Sequence, residues 1–143
     1  MKLAIASDHG GFLLKEELVK KLKENGFEVV DLGCDSTESV DYPIYAKKLT
    51  KYVLNNFCYG VLICTTGIGV SMAANKEKGI RAALVTNEDQ SIFSRKHNNA
   101  NVICLGARYT NVNDAFKYVN NFVNTKFEGG RHERRVSQME GLI

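Results

Sequence analysis

The chain has 143 residues, 44% apolar and 24% charged, and its formal net charge is +3. That length suits one domain spanning residues 1–143, and the near-average composition excludes disordered, collagen-like and coiled-coil proteins. The small surplus of positive charge suits an anionic metabolite as ligand better than nucleic acid or a membrane surface. The four cysteines show no CxxC spacing, and the chain has no long apolar run, so we expect a cytoplasmic protein.

Short apolar runs alternate with helical patterns along the first half of the chain. A continuous apolar run predicts a strand at residues 2–6, and leucines at every fourth position predict a helix at residues 12–25. The charged residues of this helix, Lys15 among them, are expected on its solvent face, and Gly26 is expected to end it. A second strand is predicted at 27–32, a polar loop at 33–41, and then a helix with Pro43 near its start.

The second half of the chain repeats this alternation. Strands are predicted at 60–64, 81–85 and 101–106, with helices up to about residue 76, at 88–97 and at 114–124. A basic tail, 131–141, is expected to be partly helical. These alternations predict an α/β protein with one Rossmann-like domain, in which helices cover both faces of a five-stranded parallel sheet. Ligands of such sheets bind at the carboxyl ends of the strands.

Cys64 ends the third predicted strand and is followed by the glycine-containing turn Thr65-Thr66-Gly67-Ile68-Gly69. Backbone N–H groups at a strand-to-helix turn can bind phosphate or hold an oxyanion, and they favour the thiolate form of a cysteine. A buried structural cysteine, as expected for Cys104, is the alternative. The turn lacks the third glycine of a dinucleotide-binding fingerprint, and the chain has no Walker motif.

Histidines and arginines supply the other candidate side chains. His9 follows the first strand and His97 ends the fourth helix, so both are expected on the active face, although a structural role is the alternative for each. Arg131 and Arg135 are four residues apart, and on a helix they would share one face and could clamp a phosphate. A solvated basic face is the alternative for this tail.

Several collinear segments, from about residue 2 to 135, together resemble the type B ribose-5-phosphate isomerases of the RpiB/LacAB sugar-phosphate isomerase family. They are Ser7-Asp8-His9-Gly10-Gly11, Asp41-Tyr42-Pro43, Cys64-Thr65-Thr66-Gly67-Ile68-Gly69, Ala73-Ala74-Asn75-Lys76, Gly79-Ile80-Arg81-Ala82, Ser94-Arg95-Lys96-His97-Asn98 and Gly129-Gly130-Arg131-His132. One departure is Thr65, because the family's ribose isomerases usually have glycine after the cysteine. Thr65 therefore bears on which sugar phosphate is accepted.

The resemblance implies interconversion of ribose 5-phosphate and ribulose 5-phosphate without a metal or cofactor. It also implies a homodimer, or a dimer of dimers, whose subunits share each active site. Cys64 matches the general base and His97 the acid that opens the sugar ring. The resemblance further implies a set of substrate-binding residues, in which His9 and the arginines hold the phosphate: Asp8, His9, Thr65, Thr66, Gly67, Ile68, Gly69, Asn98, Arg108, Arg131 and Arg135.

Other functions remain open at this point. The same fold could isomerise a hexose 6-phosphate, such as allose 6-phosphate or galactose 6-phosphate. A phosphosugar-binding module without turnover would use the anion sites but leave Cys64 and His97 without a role. A cysteine hydrolase has only a cysteine and a histidine in its favour, and it would have no use for a phosphate clamp.

Overall fold

Five parallel strands form one sheet in a computed structural model that describes residues 1–141; the predicted domain's last two residues, 142 and 143, lie outside the described range. The strand order is β2-β1-β3-β5-β4, and every neighbouring pair is parallel. The strands are β1 (Lys2–Ser7), β2 (Glu28–Asp31), β3 (Tyr59–Cys64), β4 (Ala82–Leu84) and β5 (Val102–Gly106). The predicted five-stranded parallel sheet is therefore confirmed.

Helices follow the strands close to the predicted positions. A single 3-10 turn, His9–Gly11, comes directly after β1. The α-helices are α1 (Phe12–Glu24), α2 (Tyr42–Asn56), α3 (Ile68–Ala74), α4 (Glu88–Lys96), α5 (Val112–Asn124) and α6 (Arg131–Met139). None of the helices within residues 1–141 combines the length and the apolar character that a membrane span requires.

Two apolar layers enclose the sheet. On one face, α1 and α5 bury Leu18 and Phe122 against Ile5, Ile63 and Ile103 of the central strands. On the other face, α2 and α3 bury side chains against the alternate residues of the same strands. Burial on both faces explains why β1, β3 and β5 are continuous apolar runs in the sequence.

Lys15 departs from the predicted pattern, because its side chain is only 1% exposed although it was expected on the solvent face of α1. Its ammonium group lies 2.8 Å from a carboxylate oxygen of Asp31, at the end of edge strand β2, and 2.9 Å from Glu16. Burial favours the neutral amine, but the hydrogen bonds to Asp31 and Glu16 outweigh it and raise the pKa of Lys15. The prediction was wrong because helical spacing alone does not reveal a carboxylate supplied by another element.

The strand order creates a switch point beside β1. This strand lies between β2 and β3, so the first connection leads to one side of β1 and the second, from β2 to β3, leads to the other side. The carboxyl ends of β1 and β3 therefore border a crevice of the kind in which doubly wound sheets bind their ligands.

Candidate active site

Cys64 lies at the carboxyl edge of the sheet, next to the switch point. It is the last residue of β3, and its neighbour Ile63 pairs with Ser7 at the end of β1. The side chain is 5% exposed, and its Sγ accepts a hydrogen bond from the N–H of Gly67 at 3.1 Å. An N–H donor at this distance stabilises negative charge on the sulfur.

Asp8 and His9 follow β1 at the same edge. A carboxylate oxygen of buried Asp8 accepts a hydrogen bond from the N–H of Gly11 at 3.2 Å. The Nδ1 atom of His9 accepts one from the N–H of Val40 at 3.1 Å, which ties the histidine to the polar loop before α2. Since Nδ1 is the acceptor, the Nε2 atom of His9 carries the proton and can donate to a ligand.

The turn after Cys64 is held against the end of β5. The N–H of Ala107 donates to the carbonyl of Cys64 at 2.9 Å, and the N–H of Arg108 donates to the carbonyl of Thr65 at 3.0 Å. Thr65 also lies directly against Gly10, where an added Cβ would collide with the threonine hydroxyl. The structure thus brings Asp8, His9, Arg108 and the predicted residues Thr65 to Gly69 together at one edge of the sheet.

Some N–H groups in and just after this turn have a partner within the protein. That of Gly67 donates to Cys64, that of Ile68 to the hydroxyl of Thr66 at 3.3 Å, and that of Ser71 to the carbonyl of Gly67 at 3.2 Å. Within residues 1–141, the hydrogen bonds leave the N–H groups of Gly69 and Val70 without an acceptor, as expected for the first turn of a helix. These two groups are therefore available as donors to a ligand.

Tyr42 is a site residue that the sequence analysis did not single out. A Cβ added at Gly69 would lie 2.8 Å from a ring carbon of this tyrosine, so the ring packs directly over the turn. Tyr42 is 40% exposed and begins α2 beside Pro43. The signal was present, because Asp41-Tyr42-Pro43 was among the segments that carried the family resemblance.

Gly67 has a conformation that a larger residue would strain. Its φ is +79°, and an added Cβ would lie 2.6 Å from the side chain of Leu84 and 2.9 Å from the backbone of Leu105. We expect Gly67→Ala to lower the free energy of unfolding by about 2–5 kcal/mol, combining left-handed strain with overpacking. Urea denaturation measures this loss. Gly26→Ala is the control, because Gly26 has a φ of +89° but no atoms close to the position of an added Cβ. This variant should lose only the strain energy of about 1–2 kcal/mol. Equal losses of stability in both variants would contradict the packing argument.

His97 and Asn98 lie at the opposite, amino edge of the sheet, so His97 does not lie on the active face of its own chain, where it was expected. His97 caps the C-terminus of α4, and β5 begins only five residues later. A helix that joins two parallel strands runs back along the sheet, and its C-terminus therefore reaches the edge where the strands begin. Strands of five or six residues separate the two edges by about 17–20 Å.

The amino edge has its own cluster of polar side chains. The rings of His97 and His132 stack with centroids 4.2 Å apart, and the Nε2 atoms lie 3.4 Å and 3.6 Å from one carboxylate oxygen of Glu128. Loss of hydration, and then the proximity of His97 and Arg131, lowers the pKa of His132. Arg131 and Arg135 are exposed on successive turns of α6, as the predicted shared face requires.

Arg95 holds this edge together and was also missed by the sequence analysis. Although it lies on α4, its side chain is buried, and it donates hydrogen bonds to Asn99, to the carbonyl of Ala100 at 2.7 Å and to the carbonyl of Thr125. Its guanidinium carbon lies 4.7 Å from the ring centroid of Tyr59. These contacts connect the turn after His97 to the segment that leads to Glu128, so Arg95 is a positioning residue.

Comparison with known proteins gives a consistent result. The family model described as "Ribose/Galactose Isomerase" matches residues 3–139. Ribose-5-phosphate isomerase B of Escherichia coli (strain K12) is 41% identical over 142 residues, which is 99% of this chain and 95% of that protein.

Solved structures agree over nearly the whole chain. Ribose-5-phosphate isomerase B of Clostridium thermocellum superposes with a TM-score of 0.95 at 44% identity, covering 99% of this chain and 97% of that one. The enzyme of Mycoplasma genitalium, solved with bound ribulose-5-phosphate, gives a TM-score of 0.92 at 43% identity and covers 98% of this chain and 94% of that one.

Proposed function

Because the chain belongs to the ribose/galactose isomerase family of sugar-phosphate isomerases, we propose that it interconverts D-ribose 5-phosphate and D-ribulose 5-phosphate through an enediolate. The observation that carries this proposal is the site at the switch point. There a nearly buried thiol accepts an N–H hydrogen bond from Gly67, beside Asp8, His9 and Arg108. A thiol that can act as a base, beside donors for a phosphorylated ligand, is an arrangement that can carry out aldose–ketose isomerisation.

Cys64 acts as the general base of the proposed reaction. Its thiolate takes the proton from C2 of the open-chain aldose, and the electron pair of that bond forms the enediolate. The same group returns the proton to C1, while a second proton moves between the oxygens on C1 and C2. The Gly67 N–H donates a hydrogen bond to the sulfur at 3.1 Å and holds it at the carboxyl end of β3.

The N–H groups of Gly69 and Val70 stabilise the negative oxygen of the enediolate. They belong to the first turn of α3 and have no carbonyl acceptor within residues 1–141. Fixed donors of this kind act where charge develops in the transition state, and the loss of one typically costs about 10²–10³ in rate. The ring of Tyr42 packs beside them and limits access of water to the turn.

Each active site of the proposed enzyme is shared between two copies of the chain, in a homodimer or a dimer of dimers. Within one chain, His97, Asn98 and α6 lie at the amino edge, about 17–20 Å from Cys64. A two-fold axis can bring the amino edge of one subunit to the carboxyl edge of its partner, and it forms two equivalent sites at once. This arrangement reconciles the roles expected of Cys64 and His97 with their separation.

The partner's contribution opens and anchors the sugar. His97 protonates the ring oxygen of the closed furanose while a second group takes the proton of the anomeric hydroxyl. The bond between C1 and the ring oxygen then breaks, and C1 becomes the aldehyde of the open-chain aldose that Cys64 needs. Arg131 and Arg135 of the same partner edge bind the phosphate together with His9 and Arg108 from the first subunit. Charged, bidentate contacts of this kind position the substrate without taking part in proton transfer.

Arg135→Ala should raise KM for the sugar phosphate about 10- to 100-fold and change kcat less. A hydrogen bond between charged groups contributes about 1.5–3 kcal/mol, and phosphate binding contributes to positioning rather than to proton transfer. Steady-state kinetics measures both constants. Arg134→Ala, an exposed neighbour on the same helix, is the matched control and should leave KM near the wild-type value. An unchanged KM in Arg135→Ala would remove this arginine from the clamp.

The proposed function is tested by one side-by-side assay. The metal-free protein is given ribose 5-phosphate, allose 6-phosphate and galactose 6-phosphate, with and without EDTA. Turnover that is fastest with ribose 5-phosphate and insensitive to EDTA supports the proposal. Preference for a hexose phosphate would keep the mechanism and change the substrate, and the Thr65 side chain beside Gly10 would be the first residue to test. No turnover with any of the three would leave a phosphosugar-binding protein.

A further inference from the structure

The cluster of His97, Glu128 and His132 has the chemistry of a metal site. Two imidazoles and one carboxylate are the protein ligands of several catalytic zinc sites, in which water or substrate completes the coordination. The three ligand atoms lie within 4.8 Å of one another. Within residues 1–141, this is the one group of three or more such side chains that comes together so closely.

The distances suit a shared cation better than hydrogen bonds. The Glu128 oxygen lies 3.4 Å from Nε2 of His97 and 3.6 Å from Nε2 of His132, and both are longer than an ordinary N–H···O hydrogen bond. Ligands bound at about 2.0–2.1 Å in a tetrahedral site are separated by roughly 3.3 Å. The two contacts of Glu128 are therefore already near the required value.

The fold holds the three ligands before any cation arrives. The N–H of Glu128 donates to the carbonyl of Lys96 at 3.1 Å, so this residue lies beside the end of α4. His132 is four residues further on, in the first turn of α6. Arg95 connects the end of α4 to the segment before α6 through its hydrogen bonds to Asn99 and Thr125. Binding of a cation therefore requires little further ordering of the backbone.

Two features of the cluster limit its affinity. The imidazole rings are inclined by only 10°, so they must tilt for both Nε2 lone pairs to converge on one cation. Such rotation of a ring is a broad, low-energy torsion, and His97 and Glu128 are partly exposed. The positive charges of Arg131 and Arg135 oppose a cation, and the carboxylate of Glu128 offsets part of that repulsion.

We propose that His97, Glu128 and His132 bind a divalent late transition-metal ion such as Zn²⁺, and that the bound ion inhibits the enzyme. The inhibition rests on the proposed function, because it requires His97 to act on the sugar ring. A cation on Nε2 of His97 removes the atom that would protonate the ring oxygen. The ion is thus a reversible inhibitor and has no part in the isomerisation.

The binding test uses the full chain, stripped of metal with EDTA and then freed of the chelator. Zn²⁺ binding is measured by titration calorimetry, and Co²⁺ binding by its visible absorption bands. We expect one ion per chain. Glu128→Gln and His132→Asn should each weaken binding at least about 10-fold, since loss of even an outer-shell partner costs about 10- to 100-fold.

Matched controls exclude other ligands. His9→Asn removes the third histidine of the chain, and Cys64→Ala removes the thiol at the opposite edge; both should bind Zn²⁺ as tightly as the wild type. Circular dichroism confirms that each variant is folded. The proposal is overturned if the wild type binds no stoichiometric Zn²⁺, if Glu128→Gln and His132→Asn both bind as tightly, or if Cys64→Ala abolishes binding.

The inhibition is measured separately on the metal-free enzyme. Added Zn²⁺ should lower turnover of ribose 5-phosphate, EDTA should restore it, and Glu128→Gln should need at least about 10-fold more Zn²⁺ for the same fractional inhibition. If the metal-free enzyme does not isomerise, the proposed function fails while the binding result still stands. If it isomerises and binds no Zn²⁺, only the metal site is wrong.

Discussion

Cys64→Ala is expected to lower kcat for ribose 5-phosphate isomerisation by about 10²–10⁴-fold, because general acid–base groups contribute rate factors of that size. The variant removes the sulfur that accepts the Gly67 N–H, and alanine cannot take the C2 proton. Sugar-phosphate binding should survive, because the phosphate ligands lie on other residues. Steady-state kinetics and a calorimetric binding measurement on the same preparation separate these two properties.

The matched control for this variant is Cys58→Ala. Cys58 is another free cysteine and is half-buried. It lies immediately before β3, whereas Cys64 is the last residue of that strand. Its substitution should leave kcat near the wild-type value. If Cys64→Ala keeps wild-type turnover, the proposed general base is wrong and another group must move the proton.

Mixed dimers made from two inactive variants are expected to regain activity. In a dimer of one Cys64→Ala chain and one His97→Asn chain, one composite site carries both substitutions. The other site carries neither, because its Cys64 and its His97 come from the chains in which those residues are intact. Purified mixed dimers should therefore show about half of the wild-type rate. Each parent variant by itself should be at least about 10²-fold slower than the wild type.

Co-expression of the two variants with different affinity tags allows the mixed dimer to be isolated. The control is the Cys64→Ala chain co-expressed with itself under both tags, which should remain inactive. If each site were built within one chain, the mixed dimer would not regain activity, because each chain would carry an inactivating substitution. That result would leave His97 without a catalytic role, because it lies at the far edge of the sheet from Cys64 in its own chain.

The local sequence was sufficient to predict the elements of this fold and the edge on which Cys64 lies. The runs that became β1, β3 and β5 are apolar throughout because both faces of the sheet are covered, and this burial leaves a readable pattern. Gly67 lies only three residues after Cys64, so the turn and its N–H groups are properties of a short segment. Asp8 and His9 could be placed for the same reason, since both follow a predicted strand.

Contacts between distant segments could not be predicted in this way. The charge of Lys15 predicted exposure, but Asp31 on another element allows it to be buried. Arg95 was given no buried role by the sequence, yet three acceptors and the ring of Tyr59 enclose it. In both cases a partner that offsets the cost of burying the charge is remote in sequence: Asp31 for Lys15, and Thr125 and Tyr59 for Arg95.

The position of His97 illustrates the same division between sequence and tertiary structure. The sequence by itself determined that this residue ends a helix. Only the tertiary structure decided at which edge of the sheet it lies, because a crossover helix returns the chain to the edge where the strands begin. Local periodicity records which face of an element is buried, whereas the edge a residue reaches depends on how strands and helices are connected through the whole sheet.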